Sequence, residues 1–179
     1  MGSSRARDAS TTTIVVMGVS GCGKSTVMRL LAARLGWAAA EGDAFHSAAN
    51  IEKMRGGHEL TDADRWPWLE AIAAWIGQQE AAGRDAVVAC SALKRAYRDV
   101  LRWNHPSVWF AHLVAPRDVI AERMAQRPHH YMPASLLDAQ FADLEPLDAT
   151  ESGVSVPAIG SAEKTTDALM ARLGAAARS

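Results

Sequence analysis

Apolar residues recur along the chain in two alternating rhythms. Ile14-Val15-Val16-Met17 is a short, largely β-branched run with no polar alternation, and Ala86-Val87-Val88-Ala89-Cys90 is another. Such runs predict strands buried on both faces, as in a parallel sheet covered by helices. The first strand is read as Thr13–Met17 and the third as Ala86–Cys90. Trp37–Ala40 and Val108–Val114 predict the second and fourth. Val154–Ile159 predicts a weaker fifth strand, which belongs at an edge because Pro157 has no N–H for a central ladder.

Helical spacing fills the intervals. Val27, Leu30, Leu31 and Leu35 predict a helix over Lys24–Leu35, stopped by Gly36. Ser47–Arg55 reads as a second helix, closed by Gly56-Gly57. Leu69, Ile72, Ala73 and Ile76 fall at i, i+3, i+4 and i+7 and predict a helix to about Ala82. Thr61-Asp62-Ala63-Asp64 has the form of a capping box for it, and Pro67 sits early enough to be tolerated. Lys94–Trp103, Pro116–Arg127, a segment starting at Pro133 and Ala162–Leu173 complete the set. Alternating strands and helices imply an α/β fold with right-handed crossovers and helices on both faces. Ligands then bind at the carboxyl ends of the strands. Polar residues gather there: the loop after the first strand, Asp43 after the second and Ser91 after the third.

The loop after the first strand is the most informative stretch. Gly18-Val19-Ser20-Gly21-Cys22-Gly23-Lys24-Ser25 fits G-x-x-x-x-G-K-[ST], the phosphate-binding loop, with the required strand before it and helix after it. A polyphosphate needs several donors aimed inward at short range. The glycines let backbone N–H groups, with those opening the helix at Lys24, Ser25 and Thr26, form an anion cradle. Lys24 can reach the β- and γ-phosphates, and the Ser25 hydroxyl can ligate Mg²⁺. The loop by itself specifies nucleotide binding and leaves the reaction open.

Composition narrows the partners. Lys and Arg together number 19 and Asp and Glu 20, for a net charge of −1. That balance offers no electrostatic case for nucleic acid or an anionic membrane. No apolar run approaches a membrane span. At 179 residues the chain suits one compact domain, residues 13–179. Residues 1–12 are small and polar, lack the apolar core of a signal peptide and read as a flexible tail, so a cytoplasmic protein is expected. Cys22 and Cys90 then read as two reduced thiols.

Other polar residues remain ambiguous from spacing alone. Arg123 and Arg127 lie four apart on one helix face, before Pro128-His129-His130-Tyr131. They suit a lid whose arginines close on ATP, but spacing alone favours a solvated basic face, which is what most such pairs are. Asp43 could hold Mg²⁺ through water or accept from an attacking hydroxyl; it could also be a turn former after Gly42. No carboxylate ends the third strand, where Ala89-Cys90-Ser91 stands, which raises the share of Asp43. His46, Lys53, Arg55, His58, Arg65, Lys94, Arg95 and Arg98 flank the third strand, as an anionic or polyhydroxy substrate would need or as exposed charges would stand.

Several blocks, in order from about residue 13 to 147, resemble the gluconate kinases, relatives of shikimate kinase. They are Met17 to Ser25; Glu41-Gly42-Asp43-Ala44-Phe45-His46; Asn50 to Met54; Leu60 to Arg65 with Pro67-Trp68-Leu69; Cys90 to Arg102; and Arg123, Arg127, His130-Tyr131-Met132-Pro133, Leu136-Leu137, Gln140-Phe141 and Leu144-Glu145. The resemblance implies a three-layer α/β/α P-loop kinase with a five-stranded parallel sheet and a helical lid at about 123–133. It implies ATP- and Mg²⁺-dependent phosphorylation of D-gluconate at its terminal hydroxyl, and a homodimer. Lys24, Asp43, Arg123 and Arg127 would be catalytic. Asp43, His46, Arg65, Ser91, Lys94, Arg98 and His130 would face the substrate, with Arg65, Lys94 and Arg98 on its carboxylate and hydroxyls. Asp43 would also share the metal with Ser25. The chain departs from the family at Glu41, often Asp; Cys22, often Ser; and Tyr131, often Phe. The extra methylene of Glu41 would alter a contact behind the metal. The loop near Ser161 is read as the adenine side. A kinase of another small hydroxy acid such as shikimate, or a nucleotide-dependent switch module, are the alternatives. The switch would carry Asn-Lys-x-Asp and Asp-x-x-Gly elements, and neither occurs.

Overall fold

The computed structural model describes residues 10–126 and 134–176. Five parallel strands are laid out in the order β2-β3-β1-β4-β5: β1 Thr13–Met17, β2 Ala38–Glu41, β3 Ala86–Ala89, β4 Val108–Val114 and β5 Gly153–Pro157. Around them stand α1 Lys24–Leu35, α2 Ala48–Arg55, α3 Asp62–Ala81, α4 Arg95–Arg102, α5 Arg117–Ala125, α6 Ala134–Asp143 and α7 Ala162–Ala176. The α/β/α architecture expected from the alternation is present. The Pro157 strand lies at the sheet edge beside β4.

The central strand shows why the run lacks polar alternation. Ile14 and Val16 point into one core with Val27, Leu31 and Leu169 of α1 and α7. Val15 and Met17 point into the other with Trp68, Leu69, Ile72 and Leu101 of α3 and α4. Both faces of β1 are therefore apolar and fully buried.

Element ends follow local hydrogen bonding. Gly36, at φ 70°, sends its N–H to Ala32 O at 2.9 Å, and Trp37 sends its own to the same oxygen at 3.1 Å. Closing α1 thus uses Trp37, so β2 starts one residue later than the apolar run suggests and ends on Glu41. The capping box forms as read: Thr61 Oγ1 accepts from Asp64 N at 3.3 Å, and the Asp64 carboxylate accepts from Thr61 N at 2.7 Å. Helix α5 ends at Ala125, short of the Arg127 expected. Arg127, His130 and most of the expected lid lie outside the described residues.

The chain leaves β1 toward β2 and leaves β3 toward β4 on the opposite side. A crevice therefore opens between the carboxyl ends of β1 and β3, the position where such sheets bind ligands.

Candidate active site

The phosphate loop fills one side of that crevice. Gly18, Gly21 and Gly23 have φ of 142°, 81° and 102°, conformations that side-chain-bearing residues rarely adopt. Gly18 N donates to Ser91 O at 3.2 Å, which ties the loop to the end of β3. Lys24 Nζ donates to Val19 O at 3.0 Å, so the amine lies along the loop. Met17, Val19 and Cys22 are buried beneath it, and Cys22 is a free thiol. A cavity of about 370 Å³ runs from Gly21, Gly23 and Thr26 past Arg123 to Gly160 and Thr165. Arg123 Nη2 donates to Gly160 O at 3.2 Å at its rim. The segment near Ser161 thus stands beside the phosphate loop, although the sequence resemblance fades before it.

Two contacts on this loop were not legible in the sequence. The Ser25 hydroxyl donates to Glu41 Oε2 at 2.8 Å, which makes Glu41 the residue that orients the expected metal-ligating hydroxyl. Gln140 of α6 grips Ser20 twice: its Oε1 accepts from Ser20 N at 2.7 Å and its Nε2 donates to Ser20 Oγ at 3.1 Å.

Beyond β2 the chain makes a 3₁₀ turn, Gly42–Phe45. Gly42 packs so closely on β3 that a Cβ there would lie 2.3 Å from Ala89 O. Its own carbonyl accepts from Trp68 Nε1 at 2.7 Å. The turn leaves the Asp43 side chain 94% exposed at the crevice mouth. His46 stacks on Trp68 with centroids 4.4 Å apart, and its Nε2 lies 3.9 Å from Asp43 Oδ1. Burial pushes the pKa of His46 down, Asp43 opposes that, and Arg65 adds to it. His46 is therefore held toward its neutral form.

The far wall carries the cations. Arg65 Nη1 donates to Tyr97 Oη at 2.8 Å, and Tyr97 donates in turn to Asp62. Lys94, the N-cap of α4, donates from Nζ to Asp62 Oδ1 at 3.2 Å. That hydrogen bond is the main reason its pKa is raised. Asp143, the last residue of α6, lies 3.5 Å from Arg65 and 3.6 Å from Lys94. Burial pushes the Cys90 thiol at the crevice floor up to about 12, with Lys24 opposing and Asp43 reinforcing. The same two side chains therefore act on one buried atom, and Asp43 and Arg65 both act on His46. By contact, His46 stands beside Asp43, and Arg65 and Lys94 are joined through Tyr97, Asp62 and Asp143.

Arg98 is a correction. Expected on the substrate, it is 0% exposed. Its Nε and Nη2 donate to the two Glu151 oxygens at 2.6 and 3.0 Å, and Nη1 donates to the carbonyls of Ala92, Leu93 and Glu145 at 3.1, 3.0 and 3.0 Å. Its hydrogen-bonding capacity is spent inside the protein, where it pins the chain after α6 to the loop after β3. The expectation for Arg98 rests on the family resemblance, and the residues alone leave a substrate contact and an exposed charge both open. The partner that turns it inward is distant in sequence.

Residues 14–147 match the family model described as AAA domain. A gluconokinase of Gluconobacter oxydans is 48% identical over 160 residues, which span 89% of this chain and 88% of that protein. Among solved structures, an unliganded sugar kinase from Janibacter sp. HTCC2649 is 48% identical, with a TM-score of 0.86 over 92% of this chain and 95% of its own. A gluconokinase from Sinorhizobium meliloti is 44% identical, with a TM-score of 0.79 over 92% and 94%. The glycine cradle, its lysine and the polar groups Asp43, His46, Arg65 and Lys94 thus stand on a kinase scaffold, and the chain belongs to the gluconokinase family of P-loop kinases.

Proposed function

We propose that this protein transfers the γ-phosphoryl group of ATP to the terminal hydroxyl of D-gluconate, giving 6-phospho-D-gluconate and ADP. The observation that carries the reading is the exposed carboxylate of Asp43, which follows β2 beside the stacked His46, on a chain that also presents the phosphate-loop lysine and the linked cations Arg65 and Lys94. A linear sugar acid has a matching layout, with a carboxylate at one end and a primary hydroxyl at the other. The carboxylate binds Arg65 and Lys94, and Ser91 and His46 flank the hydroxyl chain. The terminal hydroxyl then meets Asp43 beside the phosphate loop.

Asp43 accepts the proton of that hydroxyl as its oxygen bonds to the γ-phosphorus and the bond to the bridging β,γ-oxygen breaks. The backbone N–H groups of residues 18–26 and the Lys24 amine stabilise charge on the departing ADP. Arg123, and Arg127 and His130 from the lid segment, complete the nucleotide and substrate sides. Mg²⁺ bound with the nucleotide would be held by Ser25 and Asp43 and would neutralise phosphate charge. The donor set suits it: one hydroxyl oriented by Glu41 and one solvent-facing carboxylate, the few protein oxygens such ions take beside phosphates. A homodimer and a cytoplasmic setting, where the free thiols Cys22 and Cys90 stay reduced, belong to the same proposal.

The position of the new phosphate tests this reading. Phosphorus–proton correlation NMR of the product should place it on the terminal carbon of gluconate. Phosphate on any other oxygen would contradict the orientation.

A further inference from the structure

Asp143 makes two contacts that the proposed reaction does not use. Its Oδ2 lies 3.5 Å from Arg65 Nη1 and its Oδ1 3.6 Å from Lys94 Nζ, one oxygen toward each cation. A substrate carboxylate bound by that pair would need the same arrangement. The other partners of the cations lie on the packed pair α3 and α4. Asp62 and Arg65 belong to α3, while Tyr97 belongs to α4 and Lys94 caps it. These groups are joined by hydrogen bonds, among them Arg65 to Tyr97 at 2.8 Å and Lys94 to Asp62 at 3.2 Å. Asp143 comes from a different element, α6, and reaches both cations at distances longer than an ordinary N–H···O bond. Its side chain is 36% exposed, so water and incoming anions reach it.

We propose that Asp143 is a tethered competitor for the substrate carboxylate: in the free enzyme it and Asp62 together balance the charges of Arg65 and Lys94, and gluconate displaces Asp143 on binding. The inference rests on the gluconate reading. Its consequence is selectivity. Without Asp143, Asp62 would offset only one of the two cations, and the charge left over would attract any small anion. With Asp143 in place, an anion gains little by exchange, because one carboxylate replaces another. Only a ligand that adds hydroxyl contacts toward Asp43 binds with net gain. Asp143 thus lowers affinity for every carboxylate and leaves discrimination to the hydroxyl chain.

The test is steady-state kinetics at saturating Mg²⁺-ATP with Asp143→Asn, which keeps the shape, and Asp143→Ser as a second variant. Both should lower the KM for gluconate by about threefold to tenfold, the effect of losing two half-exposed ion pairs. The change in KM should exceed the change in kcat. Acetate should become a better competitive inhibitor by a similar factor. An unchanged KM in both variants overturns the proposal, and a raised KM overturns it by making Asp143 an acceptor for substrate hydroxyls. Wild-type protein that turns over no gluconate would instead sink the functional reading. Calorimetric binding of acetate then still decides the role of Asp143: tighter binding in the variants supports it, and equal binding refutes it.

Discussion

The Ser25 hydroxyl and the Glu41 carboxylate are joined at 2.8 Å, across the gap between the start of α1 and the end of β2. Arg29, one turn further along α1, lies 3.4 Å from the other Glu41 oxygen. Glu41 is therefore fixed on both sides and holds the hydroxyl in one orientation. Partners that orient metal ligands commonly affect metal affinity by 10- to 100-fold. Glu41→Ala is expected to raise the Mg²⁺ concentration needed for half-maximal rate by about that factor. An unchanged Mg²⁺ requirement would show that Ser25 needs no such support.

Arg98 and Glu151 form an ion pair with both side chains 0% exposed. Removing one member strands a charge in the interior and typically costs ~3–5 kcal/mol, whereas replacing both by apolar groups often costs far less. Arg98→Met and Glu151→Leu should each lower stability in urea unfolding by about that amount. The double variant should lose much less than the sum. Additive losses would mean that the two residues do not act as a pair, and would reopen the substrate role for Arg98.

His112 lies in β4, is 3% exposed, and sits 3.2 Å from Ser155 Oγ through Nδ1. Burial first, and the nearby Arg98 charge second, lower its pKa from 6.5 to about 4. Between those values the unfolded chain binds a proton that the folded chain refuses. Stability therefore falls as the pH drops from about 6.5 toward 4, by about 2–3 kcal/mol from this group. His112→Asn should flatten that part of the stability–pH curve. An equally steep loss in the variant would place the effect on other groups.

Much of the fold was legible because its signals are local. The phosphate loop, the Gly36 stop, the Thr61 cap and the apolar strands each depend on neighbours a few residues away. The placement of Asp43 just after the second strand was legible for the same reason. The site was not legible where two distant side chains decide the outcome. Gln140 reaches Ser20 across 120 positions, and Glu151 turns Arg98 inward across 53. No periodicity encodes either pairing. Glu41 stood out in sequence as a departure, but its role required the sheet that brings it beside Ser25.

The central claim is most directly tested by ADP release with Mg²⁺-ATP and a panel of acceptors: D-gluconate, shikimate, other aldonic acids and none. Lys24→Ala, which removes the phosphate-loop amine without touching the core, serves as the control. Turnover with D-gluconate, absent without acceptor and abolished in a folded Lys24→Ala variant, is the predicted result. Turnover with another acid but not gluconate, or acceptor-independent ADP release unaffected by Lys24→Ala, would contradict the account.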